Sequence, residues 1–450
     1  MNIDFTKYPG KSWAHQKDIS GKIKITVLAA GLGKRMEPLT IHHLPKPMFP
    51  IGGVPMVEMW VKKAVKSGIT DISMNLCVLK KTIKDYFNYG ARFGANINYV
   101  EEDEPSGTLG GVCKQALGNK AKKVDNDETM PISGEFKGTT IIAPSGDIVT
   151  DFDAGMLEQM YDIHKKNGAA FTMVLYPVPW EKRGEFGTVE LESPGKPNGL
   201  ISQSGKIINF REKDPHSPSN LNNASIYMIE MDLLKALDPL RTQVDPEEPE
   251  PFYDFGKHVF PAMLGKLKYV TLPKDFILWG IQYNGLWFDV GRKRDYLEVN
   301  KSFLEGKIQV EIPYEKNSWG YLGTNTTIDF SKINIISPVF IGNNCIIEPG
   351  TTLGPHAVIG DDWIIEKEVV IKNSILWKPY SYFTDRGDEI PVIERKKNVG
   401  RQVCKGVTID GCIFVGGTIK SDLKEKIVDV LADGRTEILS LDYEPKGNRA

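Results

Sequence analysis

Gly31, Gly33, Arg35 and Lys46 are the first residues in this chain whose types and spacing could do chemistry. Ahead of them runs Ile23-Lys24-Ile25-Thr26-Val27-Leu28, apolar and β-branched, which predicts a buried strand. That strand empties into Ala29-Ala30-Gly31-Leu32-Gly33-Lys34-Arg35. Without side chains at Gly31 and Gly33 the backbone N–H groups can approach an anion closely, and Arg35 and Lys46 add positive charge. The combination suits a phosphate cradle, although a bare Gly-x-Gly also ends strands for structural reasons alone. Further on, Thr139 to Asp151 reads as a buried strand with Gly146-Asp147 towards its end. An Asp at a strand's carboxyl end, next to a phosphate loop, can hold a divalent cation; it can equally serve as a turn or cap residue. Asp151 and Asp153 suit turn and cap roles better.

Positioning these groups needs a scaffold, and the chain alternates strand with helix. Pro55 to Val65 has helical apolar spacing closed by Gly68, and Ile69 to Leu79 reads as a second strand. Lys81 to Tyr89 is a helix ended by Gly90, Ile97 to Val100 a third strand, and a helix follows Gly110-Gly111. Phe171 to Pro177 adds a strand, and Asp295 to Phe303 a helix leading out of the domain. The alternation predicts a doubly wound α/β sheet, in which ligands sit beyond the carboxyl ends of the strands. Residues 1–22 read as an extension and 238–251, dense in Pro, Asp and Glu, as a surface loop.

Composition narrows the class. A chain of 450 residues is too long for one ordinary core and predicts two or three domains. A formal net charge of −2 gives no polyanion-binding surface, so no nucleic-acid partner is expected. Five scattered cysteines (Cys77, Cys113, Cys345, Cys404, Cys412) lack metal-ligand spacing and read as reduced thiols of a cytoplasmic protein. No signal peptide and no membrane span is expected.

The loop and its sequel, Gly31-Leu32-Gly33-Lys34-Arg35-Met36-Glu37-Pro38-Leu39-Thr40 and Pro45-Lys46-Pro47-Met48-Phe49-Pro50, resemble the signature of sugar-phosphate nucleotidyltransferases. Their pattern runs G-x-G-T-R-L-x-P-L-T, then P-K-P-x-x-P; Lys34 and Met36 depart from it. The resemblance implies a Rossmann-like domain that makes an NDP-hexose and pyrophosphate from a nucleoside triphosphate and a hexose 1-phosphate. It implies that Leu28, Ala30, Gly31, Gly33, Lys34, Arg35, Glu102, Gly107 and Thr108 bind the nucleotide, with Arg35 and Lys46 on the β- and γ-phosphates. Phe186-Gly187 resembles the sugar-contacting segment, with Gly187 making room for the pyranose. Phe210-Arg211-Glu212-Lys213 resembles F-x-E-K, in which Glu212 contacts sugar hydroxyls and Lys213 orients the attacking phosphate. Asn223-Ala224-Ser225-Ile226-Tyr227 resembles N-A-G-I-Y, making Asn223 a sugar ligand, with Ser225 where Gly is usual. Trp287-Phe288-Asp289-Val290-Gly291 resembles the W-x-D-x-G element whose Asp289 joins Asp147 in holding Mg2+.

Base and sugar turn on Glu101-Glu102-Asp103-Glu104-Pro105-Ser106 and Gly107-Thr108-Leu109-Gly110, which resemble the base-binding segment of guanylyl- and uridylyl-transferring members. Guanine offers two parallel donors that a carboxylate such as Glu102 can accept together. The donor pattern leans towards GTP. The resemblance of the acidic loop with Gly107-Thr108-Leu109-Gly110 to mannose-1-phosphate guanylyltransferases implies mannose 1-phosphate as its partner, with glucose 1-phosphate and dTTP or UTP the alternative.

From Ile335 an apolar residue recurs every sixth position: Ile335, Ile341, Ile347, Leu353, Ile359, Ile365, Ile371. Val339, Cys345, Thr351, Ala357 and Val369 sit four places after most of them, and Val403, Ile409 and Val415 resume the step. Neither a helix nor a flat strand imposes a six; a triangular solenoid of short parallel strands does. The pattern resembles the left-handed parallel β-helix appended to many of these enzymes. The expected layout is an extension (1–22), a transferase domain (23–310), and a β-helix (311–450) with a loop inserted at 377–402 and a C-terminal tail. The resemblance also implies a homo-oligomer. The same repeat builds acyltransferases, which need a His base, and His356 is the one His in the hexads. A catalytically silent regulatory paralogue would be marked by loss of the cations or acids, and all five of Arg35, Lys46, Asp147, Lys213 and Asp289 are present.

Overall fold

The computed structural model describes residues 22–117, 139–195, 200–242, 253–267, 270, 272–377, 401–430 and 435–444. The expected N-terminal extension, most of the 238–251 loop, most of the 377–402 insertion and the end of the tail lie outside these residues.

The first domain is built on β1 (Ile23–Leu28), α1 (Met56–Lys66), β2 (Asp71–Leu76), α2 (Lys80–Phe87), β3 (Asn96–Glu101), α3 (Gly107–Leu117) and β4 (Thr140–Pro144). It continues with β5 (Ile148–Thr150), α4 (Ala154–Lys166), β6 (Ala169–Pro177), β7 (Gly187–Gly195), β8 (Ile201–Glu212) and β9 (Leu221–Glu230). β10 (Ile277–Tyr283), β11 (Trp287–Asp289) and α5 (Lys293–Leu304) complete it. Nine strands make one mixed sheet in the order β3-β2-β1-β4-β9-β6-β10-β8-β7. The β3-β2-β1-β4 half is parallel, as the alternation predicts, whereas β9 joins antiparallel on β4. Ile23, Ile25 and Val27 are fully buried, which at about 1.5–3 kcal/mol each anchors β1 in the middle of the parallel half.

Three boundaries differ from the sequence reading, each for a local reason. The second strand stops at Leu76, because Leu79 takes a left-handed φ of 47° at the start of α2. The helix expected after Gly111 already begins at Gly107. The single strand expected from Thr139 to Asp151 is two, β4 and β5, separated by the turn that carries Asp147. β5 pairs only with β11, a two-stranded ribbon that sets Ile148 opposite Asp289. α1 steadies this ribbon: its Val57, Trp60, Val61 and Ala64 are buried, and Trp60 Nε1 donates to the Ile148 carbonyl at 3.1 Å.

The C-terminal third is a parallel β-helix of three stacked sheets. Its registers pair Ile341 with Ile359, Ile347 with Ile365 and Leu353 with Ile371, one coil per 18 residues and therefore one side per hexapeptide. The step then shortens. Ile359 stacks on Leu376, and Leu376 on Phe414, so Phe414 and not Val415 fills the coil interior. Val415 instead joins the core shared with the first domain. On that face Phe340, Val358, Ile375, Ile413 and Ile427 point out of the coil yet are buried, because they pack on the first domain. His356, the base that acyl transfer would need, is spent on this contact: its Nε2 lies 3.0 Å from Glu305 Oε1 at the end of α5. Among the described residues no helix is long and apolar enough to cross a membrane.

Candidate active site

The glycine loop leaves β1 at the carboxyl edge of the parallel half, where such sheets open a crevice. Gly33 has φ +64°, and a Cβ there would lie 2.8 Å from Thr40 Cγ2. Thr40 in turn donates to the Gly33 carbonyl at 3.1 Å, which explains why the threonine recurs with the glycines in the motif. Gly31 is exposed with nothing within 4 Å of a built Cβ, so its backbone is open to a ligand. Lys34 and Arg35 are both exposed; the Arg35 guanidinium lies over Gly291, where a Cβ would come within 3.0 Å of Nη2.

Lys46 is buried in a single helical turn, Lys46–Met48, opened by Pro45. Its Nζ lies 2.5 Å from Asp147 Oδ2 and 3.9 Å from Asp289 Oδ1. Asp147 is placed by its turn: Gly146 N donates to the Leu28 carbonyl at 2.9 Å, and Ser145 Oγ donates to Asp147 Oδ1 at 2.5 Å. Asp289 arrives from the other strand of the ribbon, where Val290 N reaches the Asp147 carbonyl. Burial works against the Asp147 carboxylate, but the Lys46 charge and hydrogen bond, with the bond from Ser145, hold its pKa below the ordinary value. Asp289 goes the other way: burial, then the adjacent Asp147 charge, push it up, and Lys46 and Arg35 only partly offset them. Among the described residues no group of three or more His, Cys, Asp or Glu could hold a metal. Two hard carboxylates in mutual repulsion still suit a Mg2+ that takes its remaining oxygens from phosphate and water.

Asp147 and Lys46 line a cleft of about 240 Å3 with Leu28, Ala30, Gly31, Glu102, Gly107 and Thr108, and Asp289 stands beside it, 3.9 Å from Lys46 Nζ. Gly107 has φ +69°, and a Cβ would lie 2.3 Å from Tyr253 Cδ2, so only glycine fits. Thr108 Oγ1 accepts from Phe255 N at 2.8 Å, tying the start of α3 to residues 253–255. Glu102 lines the same cleft, but its carboxylate is already engaged. Its side chain has no exposed surface, Oε2 accepts from Ser106 N at 2.8 Å and Ser106 Oγ at 2.9 Å, and Oε1 accepts from Asn75 Nδ2 at 3.2 Å. These bonds make Glu102 a clamp for the loop.

Of the residues expected around a sugar, Asn223 is bonded to Tyr227 and Ser225, which line the cleft. Asn223 Nδ2 donates to Tyr227 Oη at 2.9 Å, and its Oδ1 accepts from Ser225 N at 3.1 Å. Ser225 holds φ 57°, the left-handed conformation for which the motif's usual glycine is suited; the cost to serine is about 1–2 kcal/mol. Burial raises the Glu212 carboxyl, Lys213 works against that, and Asp254 adds to it. Gly187 also differs from its expectation: a Cβ there would meet Phe210 Cζ at 2.6 Å and Glu212 Oε2 at 2.8 Å. The room it makes is taken by Phe210 and Glu212 themselves. Lys213 has φ 50° and is exposed.

Sequence reasoning did not find Asn75, Ser145, Tyr227 or Asp254, all of which line the cleft. Asp254 alone left a trace, as an Asp before Phe255-Gly256-Lys257; its Oδ1 caps that short helical turn by accepting from Lys257 N.

A family model described as nucleotidyl transferase matches residues 24–306. The chain is 29% identical over 362 residues to a UTP–glucose-1-phosphate uridylyltransferase of Synechocystis sp., spanning 79% of this chain and 83% of that protein. It is 26% identical over 355 residues to a mannose-1-phosphate guanylyltransferase of Mycobacterium tuberculosis, spanning 78% and 83%. With a glucose-1-phosphate adenylyltransferase of Acetivibrio thermocellus it shares 24% over 436 residues, 92% of this chain and 88% of that one.

Proposed function

The chain belongs to the nucleotidyl transferase family, and from that premise we propose that it is a sugar-1-phosphate nucleotidyltransferase, joining a nucleoside triphosphate to a hexose 1-phosphate with release of pyrophosphate. The observation that carries this reading is the convergence of Asp147 and Asp289 on the Lys46 ammonium, with Lys46 and Asp147 lining a cleft edged by the Gly31 loop. An oxygen of the sugar phosphate attacks the α-phosphorus in line. A new P–O bond forms as the bond to the bridging oxygen breaks, and pyrophosphate leaves with the electron pair. Such a reaction asks for positioning and charge stabilisation more than for covalent chemistry.

The loop N–H groups of Gly31 and Gly33, with Lys34, support the triphosphate, and Arg35 and Lys46 hold its β- and γ-phosphates and take up the charge of the leaving group. Leu28, Ala30, Gly107 and Thr108 flank the nucleoside. Lys213 orients the attacking phosphate, Glu212 and Asn223 hold sugar hydroxyls, and Gly187 lets Glu212 reach them. Asp147 and Asp289 would hold Mg2+, which when bound supplies positive charge at the α-phosphate.

With the Glu102 carboxylate already bonded to Ser106 and Asn75, the pairing of GTP with mannose 1-phosphate rests mainly on the resemblance of the Gly107-Thr108 segment. Glu102→Gln places an amide donor against Ser106 N or Asn75 Nδ2. It is expected to cost about 1.5–3 kcal/mol of stability and raise the KM for every triphosphate, with their order of preference unchanged. Kinetics of the variant with each nucleotide check this; a changed order would restore Glu102 to the base. The reading as a whole is tested by pyrophosphate release from ATP, GTP, UTP and dTTP, each with mannose and with glucose 1-phosphate. One productive pair is expected to stand well above the rest, and no release with any pair, Mg2+ present, would defeat the proposed activity.

A further inference from the structure

The segment that carries Lys46 is held from both sides by the β-helix. Three residues before it, His43 is 2% exposed, and its Nε2 is hydrogen-bonded to Asp429 Oδ1. Asp429 lies on Lys426–Val430, a strand of the β-helix, and is fully buried. Its second oxygen, Oδ2, finds no partner among the described residues. A buried carboxylate is costly unless paired, so this residue is strongly bound to the place where His43 sits.

Three residues after Lys46, Phe49 meets Trp377 edge-on, with ring centroids 4.9 Å apart at 74°. Trp377 follows the coil strand Ile375–Leu376 and is 1% exposed. Its orientation is fixed at both ends: the carbonyl accepts from Trp363 Nε1 at 2.8 Å, and its own Nε1 donates to Tyr296 Oη at 2.8 Å. Tyr296 Oη passes the contact on to the Pro50 carbonyl at 2.7 Å. Between these two anchors lies one short helical turn, too brief to hold its own shape, and on it the ammonium that faces both acids.

We propose that the β-helix is a working part of the catalytic centre, in which Asp429 and Trp377 are positioning residues that keep Lys46 aimed at Asp147 and Asp289. The inference rests on the transferase reading for its kinetic consequences and on geometry alone for the placement of Lys46. A displacement of about 1 Å at such a site can cost about a hundredfold in rate.

The test uses the full-length chain with Asp429→Leu, which removes the carboxylate, and with Trp377→Phe, which keeps the ring on Phe49 but loses the bond to Tyr296. Asp429→Leu is expected to lower kcat about 10- to 100-fold and Trp377→Phe severalfold. The KM for the hexose 1-phosphate should stay within about twofold, because Glu212 and Asn223 stand on β8 and β9, away from both anchors. A second readout needs no turnover. Mn2+ should bind the ligand-free variants more tightly than the parent, since a loosened Lys46 competes less for the acids, and adding Asp429→Leu to Lys46→Met should tighten it no further. Variants that melt cooperatively yet keep the parental kcat and Mn2+ affinity would overturn the proposal, leaving the two anchors a purely structural role. Should the parent show no turnover, the transferase reading fails by itself, and the Mn2+ comparison still decides the placement of Lys46.

Discussion

Asp147→Asn is expected to lower turnover by about a thousandfold, or ~4 kcal/mol of transition-state stabilisation, with the fold intact. The amide keeps the shape and can still accept from Ser145 Oγ, so the turn that follows β4 has no reason to rearrange. What it loses is the charge. Lys46 Nζ is left with Asp289 at 3.9 Å as its acidic neighbour, and Mg2+ loses one of two protein carboxylates. Steady-state kinetics across a Mg2+ titration check the result. A rate within tenfold of the parent at saturating Mg2+, in a variant with an unchanged melting curve, would remove Asp147 from the chemistry.

Lys46→Met should move two quantities in opposite directions. Without the ammonium the leaving pyrophosphate loses a fixed cation, and kcat is expected to fall by about 10²–10³. At the same time the ligand-free protein should bind Mn2+ more tightly. Lys46 sits between the carboxylates that would take the metal, so a cation entering the parent must displace an ion pair. At about 4 Å and an effective dielectric near 20 such a charge is worth ~4 kcal/mol. Asp147 and Asp289 retain 23% and 31% of their side-chain exposure, which screens it, so a gain of about tenfold is the expectation. Calorimetric titration with Mn2+ measures it directly, and methionine keeps the apolar stem packed. Weaker or unchanged metal binding would show that Lys46 does not occupy the cation's place.

Much of the architecture was written in local sequence. The strand before the glycines, the αL requirement at Gly33, the Pro-Lys-Pro turn and the six-residue step of the coil all follow from neighbouring residue types. Asp147 and Asp289 were named by motif, and the ribbon of β5 and β11 brings both to Lys46. The failures have a common form. Glu102 had the right chemistry for a base, but Asn75 from β2 and Ser106 from its own loop already hold its carboxylate. Gly187 had the right size for a sugar, but Phe210 and Glu212 fill its space. Val415 kept the hexad count, but the coil lost a residue and Phe414 took the interior.

By itself, then, the sequence determined backbone conformation and periodicity, and with them a Rossmann-like sheet, a phosphate loop and a solenoid, because φ preferences and apolar spacing act over a few residues. Only the tertiary structure decided which polar groups remain free for a substrate. Lys46 meets an acid 101 residues away, and His43 one 386 residues away. A charge has no fixed role until the fold has chosen its partner.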